Sequence, residues 1–205
     1  METSRSDVDT KAIQEFSAQD RFIKVPIENY LNLIDIEPVP PQIALINAVQ
    51  NPKYRFITAV LNRRTGKTFM ANIIGHLLTL IPGTNMLIIS PNYSLSGISW
   101  EIQKKLLESF DIELDRLNSK DRIIELKNGS AVRLGSAQQA NSVVGRSYDL
   151  IIFDEAALID KGDDIFFKQL RPTLDKPGSK AVFISTPRGK NWFYHFYRNG
   201  FSEDP

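Results

Sequence analysis

The sequence contains no cysteine and only two histidines, His76 and His195. A disulfide framework, a thiolate metal site and a cysteine nucleophile are thereby excluded, and a histidine-based zinc centre is disfavoured. An excess of either charge is missing too: 25 lysines and arginines stand against 24 aspartates and glutamates, a net charge of +1. Bulk attraction to nucleic acid is therefore absent, and any such contact must come from a local patch. No apolar run approaches the roughly 18 residues of a membrane span, and the polar, acidic N-terminus does not read as a signal peptide. Internal repeats, low-complexity tracts and long linkers are absent as well. What remains, 205 residues at 42% hydrophobic and 24% charged, has room for one domain with a sizeable core. The class expected from composition is a soluble intracellular α/β or α+β domain.

Near the N-terminus Arg5 and Lys11 face Glu2, Asp7, Asp9, Glu15 and Asp20 with few apolar neighbours. Residues 1–24 are expected to form a flexible arm and residues 25–205 one domain. After Pro38, Pro40 and Pro41, a short helix is expected from about Gln42, with Ile43, Leu45, Ile46 and Val49 as its apolar face. Residues 55–61 read as a buried strand, leading through Asn62-Arg63-Arg64-Thr65-Gly66 into a helix that opens at Lys67 and stops at Pro82-Gly83. The alternation then recurs: strands at 86–90, 150–153 and 181–185, and a helix over about 100–110. Residues 122–126 and 131–134 flank Asn128-Gly129, a strong hairpin signal. Short, wholly apolar strands alternating with helices predict a mainly parallel sheet covered on both faces, with a β-hairpin insertion. In such sheets the ligand crevice lies at the carboxyl ends of the strands. Three polar clusters fall at those ends: residues 63–68, Asp154-Glu155 and Ser185-Thr186.

Gly66-Lys67-Thr68 between a buried strand and a helix is the tail of a phosphate-binding P-loop. Glycine lets the backbone close on phosphates, and the helix N-terminal N–H groups point at them. Lysine bridges the β- and γ-phosphates of ATP, and the threonine hydroxyl ligates Mg²⁺. The match is imperfect, because Leu61 stands where the pattern opens with glycine. Asp154-Glu155 supplies the second half: one carboxylate can hold Mg²⁺ through water, and the next can orient and deprotonate the attacking water. The same two acids also suit the N-terminus of a following helix.

Taken together, residues 62–68, Leu150-Ile151-Ile152-Phe153-Asp154-Glu155-Ala156-Ala157 and Ser185-Thr186-Pro187-Arg188-Gly189-Lys190-Asn191-Trp192-Phe193 resemble the ATPase domain of the large terminase subunit, the DNA-packaging motor of tailed bacteriophages and herpesviruses. The resemblance runs from about Val39 to Tyr197. A P-loop without its first glycine but with an arginine inside is typical of that family. The resemblance implies a RecA-like P-loop NTPase fold of the additional-strand, catalytic-glutamate type. It implies Lys67 and Thr68 as phosphate and Mg²⁺ groups, Asp154 as metal ligand, and Glu155 as catalytic carboxylate. Thr65, Gly66 and Arg64 join the ATP-binding loop, Ser185-Thr186 becomes a coupling motif, and Gln42 an adenine-reading glutamine. An arginine must also neutralise the transferring phosphoryl group. Arg63 would do so in cis, Arg146 in trans from a neighbour in a ring, and the resemblance supports both. Double-stranded DNA, a portal protein, a small terminase subunit, a homo-oligomeric ring and the cytoplasm of an infected host cell are implied on the same footing.

Two rival readings stay open. Domain 1 of a superfamily 2 helicase shares a similar acidic motif and glutamine, but needs a second RecA-like domain and Ser-Ala-Thr where this chain has Ser-Thr-Pro. A non-hydrolysing ATP-dependent adaptor would not need Glu155. A full large terminase also carries a nuclease domain with an acidic two-metal cluster; after Ser185 the acids are Glu203 and Asp204, so none is expected here. Arg188, Lys190, Trp192, Tyr194, His195, Tyr197 and Arg198 mix base and aromatic; the aromatics are expected to pack and the cations to be solvated or to touch DNA. His76 and His195 are expected to pack, and Lys104-Lys105 to be solvated.

Overall fold

The computed structural model describes Ile27, Leu31, Asn32, residues 35–109 and residues 112–201. The expected arm, residues 1–24, lies outside the described residues. Strands β1 (Phe56–Val60), β2 (Asn85–Ser90), β3 (Leu114–Asn118), β4 (Ile123–Leu126), β5 (Ala131–Ser136), β6 (Leu150–Asp154) and β7 (Lys180–Ser185) form one sheet in the order β1-β7-β6-β2-β5-β4-β3. The first five in that order run parallel, and β4 and β3 extend the sheet antiparallel. The β4–β5 hairpin turns at Asn128-Gly129 as the sequence predicts. β3 has no counterpart in the sequence pattern: its three central residues are exposed, so no apolar alternation marks it.

Strand alternation divides the core in two. Met86, Ile88, Leu150, Ile152, Val182 and Ile184 face α1 (Pro40–Gln50), α2 (Lys67–Thr79) and α3 (Tyr93–Ser109). Leu87, Ile89, Ile151, Phe153, Ala181 and Phe183 face the opposite layer, with Tyr148, Phe166, Leu170 and Phe193. Both faces of the central strands are thus dry, which is why those strands read as unbroken apolar runs.

Helix α1 begins at Pro40, two residues before the expected start, because prolines suit a first helical turn that has no N–H partners to lose. Its far end is tied to the sheet, where Lys180 Nζ donates to the Asn51 carbonyl at 2.8 Å and to that of Tyr54. The C-terminus of α2 is held by the hairpin turn. Asn128 Nδ2 donates to the Thr79 carbonyl at 3.0 Å, and Ser130 Oγ to that of Ile81 at 2.8 Å.

Helix α3 starts at Tyr93 rather than near residue 100. Asn92 Oδ1 accepts from the Leu95 N–H at 2.9 Å and opens it. The apolar periodicity misses this first half because its buried face is polar: Ser96, Ser99 and Gln103 are fully buried. They are satisfied by hydrogen bonds. Asn72 Nδ2 on α2 donates to Ser99 Oγ at 2.9 Å and to the Thr68 carbonyl at 2.8 Å, and Gln103 Nε2 donates to Asn72 Oδ1 at 3.0 Å. Arg122 donates to Ser96 Oγ and lies 3.5 Å over the Tyr93 ring.

On the opposite face, residues 156–173 fold as short 3₁₀, α and π turns. Pro172 denies the stretch one helical N–H, and no regular helix spans it. Phe166 sets its ring edge-on to Phe183 at 4.9 Å and to Phe153 at 5.9 Å. Helix α4 (Trp192–Asn199) packs here through Phe193. Gly162 makes that possible, since a Cβ on it would come within 2.2 Å of the Trp192 ring. Of the aromatics expected to pack, Trp192 does so, together with Phe196, whereas Tyr194 and Tyr197 are half-buried outside this cluster; His195, also expected to pack, is exposed, its ring beside that of Tyr194.

Candidate active site

The loop after β1 needs backbone that turns sharply toward the sheet. Arg64 and Gly66 both take left-handed conformations, with φ of 62° and 69°. At Gly66 that conformation comes without the steric cost a side chain would add. Thr65 Oγ1 donates to the Asn62 carbonyl at 2.9 Å, closing the loop on itself. Gln42 braces it from outside: its Nε2 donates to the Thr65 carbonyl at 2.8 Å while its Oε1 accepts from the Val39 N–H at 3.0 Å. Here the glutamine joins the start of α1 to the P-loop. The loop delivers Lys67 and Thr68 to the first turn of α2, whose N-terminal N–H groups carry partial positive charge.

β6 brings the acids to the same place. Asp154 is buried, and Thr68 Oγ1 donates to its Oδ1 at 2.9 Å. Burial pushes the Asp154 carboxyl up to about 6, with the neighbouring Glu155 charge adding to the rise and the Thr68 bond opposing it. Glu155 then turns the chain, with φ of 52°. Although it occupies the N-cap position of the next 3₁₀ turn, its side chain makes no capping bond, so the helix-cap role does not account for it. Instead Lys67 Nζ lies 2.7 Å from Glu155 Oε1, and Ser185 Oγ donates to Oε2 at 3.4 Å. The strand order explains this convergence: β7 lies between β1 and β6, and Asp154 is in register with Ile184, which sets Ser185 beside Glu155.

A cleft of about 600 Å³ opens above this cluster, lined among others by Asn62, Arg63, Glu155, Leu158, Thr186 and Arg188. The structure thus gathers Arg63, Lys67, Thr68, Asp154, Glu155, Ser185 and Thr186, with Gln42 and Thr65 behind the loop. Arg64 is exposed beside it. Arg146 is not among the cleft residues; it lies in the loop leading to the amino end of β6, near enough to Arg133 to hold that guanidinium below its ordinary range, second to burial. The sequence marks Arg188 as a cation that is solvated or touches DNA, yet it lines the cleft; its place directly after Ser185-Thr186-Pro187 is the signal for it. Leu95 and Leu158 also line it, and nothing in the sequence pattern marks them.

Thr68 and Asp154 offer one hydroxyl and one buried carboxylate. Magnesium is commonly held by such a small set of hard oxygens together with nucleotide phosphates, so the donors fit the ion. Among the described residues there is no cluster of three or more histidines, cysteines or acids that would make an all-protein metal cage. No helix among them is long and apolar enough to cross a membrane.

A mainly parallel sheet, a P-loop at the end of one strand, paired acids at the end of another and a further strand between the two define a RecA-like P-loop fold. Comparison with known proteins takes this further. The family model for the N-terminal part of the terminase large subunit, T4likevirus type, matches residues 59–204, and the chain belongs to this family. The terminase large subunit of Escherichia phage T5 is 51% identical over 203 residues, covering 99% of this chain and 46% of that protein. The ATPase domain of the large terminase of Thermus phage P74-26 superposes with a TM-score of 0.68 at 27% identity, over 82% of this chain and 72% of that one. The large terminase of a thermophilic bacteriophage, solved in complex with ADP, shares the fold with a TM-score of 0.54 at 15% identity, over 90% of this chain and 42% of that one. The chain spans less than half the length of the T5 relative.

Proposed function

We propose that the chain hydrolyses Mg²⁺-bound ATP and that hydrolysis powers translocation of double-stranded viral DNA into a procapsid. One observation carries the reading: Lys67, Thr68, Asp154, Glu155 and Ser185 meet in one hydrogen-bonded cluster beside a cleft that also holds Arg63.

Lys67 forms an ion pair with Glu155. The phosphates of ATP, carrying several charges, compete for the Lys67 ammonium and draw it away. Glu155 is then released to accept a proton from the attacking water, while Ser185 keeps the carboxylate oriented. In this scheme ATP itself arms the base. Thr68 and Asp154 would hold magnesium, which would supply positive charge to offset that of the phosphates. Arg63 neutralises the transferring group in cis, and Arg146 does so in trans for a neighbouring subunit. Arg64 and Thr65 complete the phosphate loop, and Gln42 couples it to the adenine. Ser185-Thr186 relays loss of the γ-phosphate to the segment beyond β7. The partners follow from family membership: DNA, a portal protein, a small terminase subunit and further copies of this chain in a ring, within the host cytoplasm.

The test is ATP turnover by this chain in Mg²⁺ and in EDTA, with and without double-stranded DNA, using Glu155→Gln as the blank. Turnover that Mg²⁺ and Glu155 both control, and that DNA stimulates, supports the reading. Tight ATP binding with no turnover at any protein concentration overturns it in favour of a non-hydrolysing adaptor.

A further inference from the structure

Ser90 closes β2 and is 1% exposed, yet its hydroxyl has no hydrogen-bond partner among the described residues. A buried hydroxyl without a partner is costly, so each such group calls for an explanation. Thr84 and Ser179 also carry buried hydroxyls without partners, but they precede β2 and β7 and so lie at the amino ends of the strands, away from the cleft. Ser90 lies at the carboxyl end.

The register says what stands beside it. β2 and β6 run parallel with Ile89 opposite Phe153, so the next step along both strands sets Ser90 alongside Asp154, about 4.8 Å away strand to strand. Alternation fixes the face. Met86 and Ile88 on β2 and Leu150 and Ile152 on β6 pack toward α2, and Ser90 and Asp154 continue those two rows. Asp154 does face α2, since it accepts the Thr68 hydroxyl. Ser90 therefore points into the pocket wall formed by Asp154 and the first turn of α2, without bonding to either.

We propose that Ser90 is a positioning residue whose hydroxyl holds a water of the Mg²⁺ shell beside Asp154 and Thr68. Magnesium keeps several of its waters in nucleotide sites, and groups outside the first ligands orient them. A serine hydroxyl both donates and accepts, so it can take a hydrogen bond from such a water and return one to the Asp154 carboxylate. The assignment rests on the nucleotide-hydrolase reading above.

The experiment is binding of a fluorescent ADP analogue to the 205-residue chain and to Ser90→Ala and Ser90→Cys, each in Mg²⁺ and in EDTA. The expected result is a wild-type affinity strengthened by Mg²⁺, with roughly tenfold of that gain lost in Ser90→Ala, as for other groups outside the first ligands. Affinity in EDTA should stay at the wild-type level, which also reports an intact P-loop. Ser90→Cys keeps the size but not the hydrogen bonding and should follow Ser90→Ala. Full Mg²⁺ enhancement in Ser90→Ala overturns the assignment and leaves the hydrolase reading standing. Equal weakening in Mg²⁺ and EDTA, or recovery in Ser90→Cys, also overturns it, because packing would then be the cause. A wild-type affinity indifferent to Mg²⁺ overturns the assignment and the metal-site reading together.

Discussion

Lys67 and Glu155 restrain each other, so their substitutions should act in opposite ways. On the proposed function, Glu155→Gln would remove the base but keep the shape and leave Lys67 available to phosphate. It should bind ATP at least as well as the parent and lose hydrolysis by roughly a hundredfold or more, the ordinary contribution of a general base. Lys67→Ala should instead weaken nucleotide binding; equilibrium binding and turnover measured on the same samples separate the two. Residues outside the cleft titrate with consequences as well. His76 is fully buried between α2 and α3, and burial pulls its imidazole down to about 4 against an opposing bond to Gln103. In the unfolded chain it takes up a proton near 6.5, while the fold resists until about 4. The unfolded state therefore binds more protons across that window, and this contribution to stability is lost as pH falls through it, about 3 kcal/mol in all. Denaturant unfolding at about pH 7 and pH 5 should show His76→Gln losing less stability on acidification than the parent; parallel losses would refute the burial argument.

At the scale of elements, the sheet and its connections join the two ends of the site. After β7 the chain returns past Thr186 to α4, where Asn191 Nδ2 donates to the Ala157 carbonyl at 2.9 Å and Trp192 Nε1 to that of Ile159 at 2.8 Å. The start of α4 is thus fastened to the turn that follows Glu155. Gly162→Ala would force the Trp192 ring out of its seat, and it should lower the thermal midpoint and loosen that fastening. Unfolding by near-ultraviolet circular dichroism and by tryptophan fluorescence would report both effects, and an unchanged Trp192 signal would count against the contact. The central strands and the P-loop helix were legible because burial on both faces leaves one sequence signature, an apolar run ending in turn residues or acids, which the exposed β3 lacks. The first half of α3 was not, since Ser96, Ser99 and Gln103 occupy core positions and hydrogen-bond instead of packing, Ser99 and Gln103 to Asn72 and Ser96 to Arg122 and the Tyr93 carbonyl. Of the site, the residue types were legible and the distances were not: that Lys67 meets Glu155, or that Ser90 lies beside Asp154, depends on strand order and register, which no local motif encodes. Arg188 was visible as a base but not as a cleft residue for the same reason.

For the molecule as a whole, Arg146 tests whether one copy suffices. It is not among the residues lining the cleft of its own chain, and its proposed role in trans calls on a second copy. Arg146→Ala should leave turnover unchanged in dilute, monomeric protein and lower it at concentrations where copies associate; a deficit that ignores concentration argues for a structural role. A different global property follows from the way α2 is held. Its first turn is bonded to β6 through Thr68 and Asp154, and its last turn and the residues beyond are bonded to the hairpin through Asn128 and Ser130. Helices ordinarily fray from their ends, and this one has both ends fastened to the sheet. Its amides should accordingly exchange with deuterium only as slowly as the whole domain opens, among the slowest in the chain. Asn128→Ala should convert the last turn alone to fast, local exchange, while nucleotide slows the first turn further. By that measure α2 is the domain's least yielding part, and the loop it carries meets its ligand already in shape.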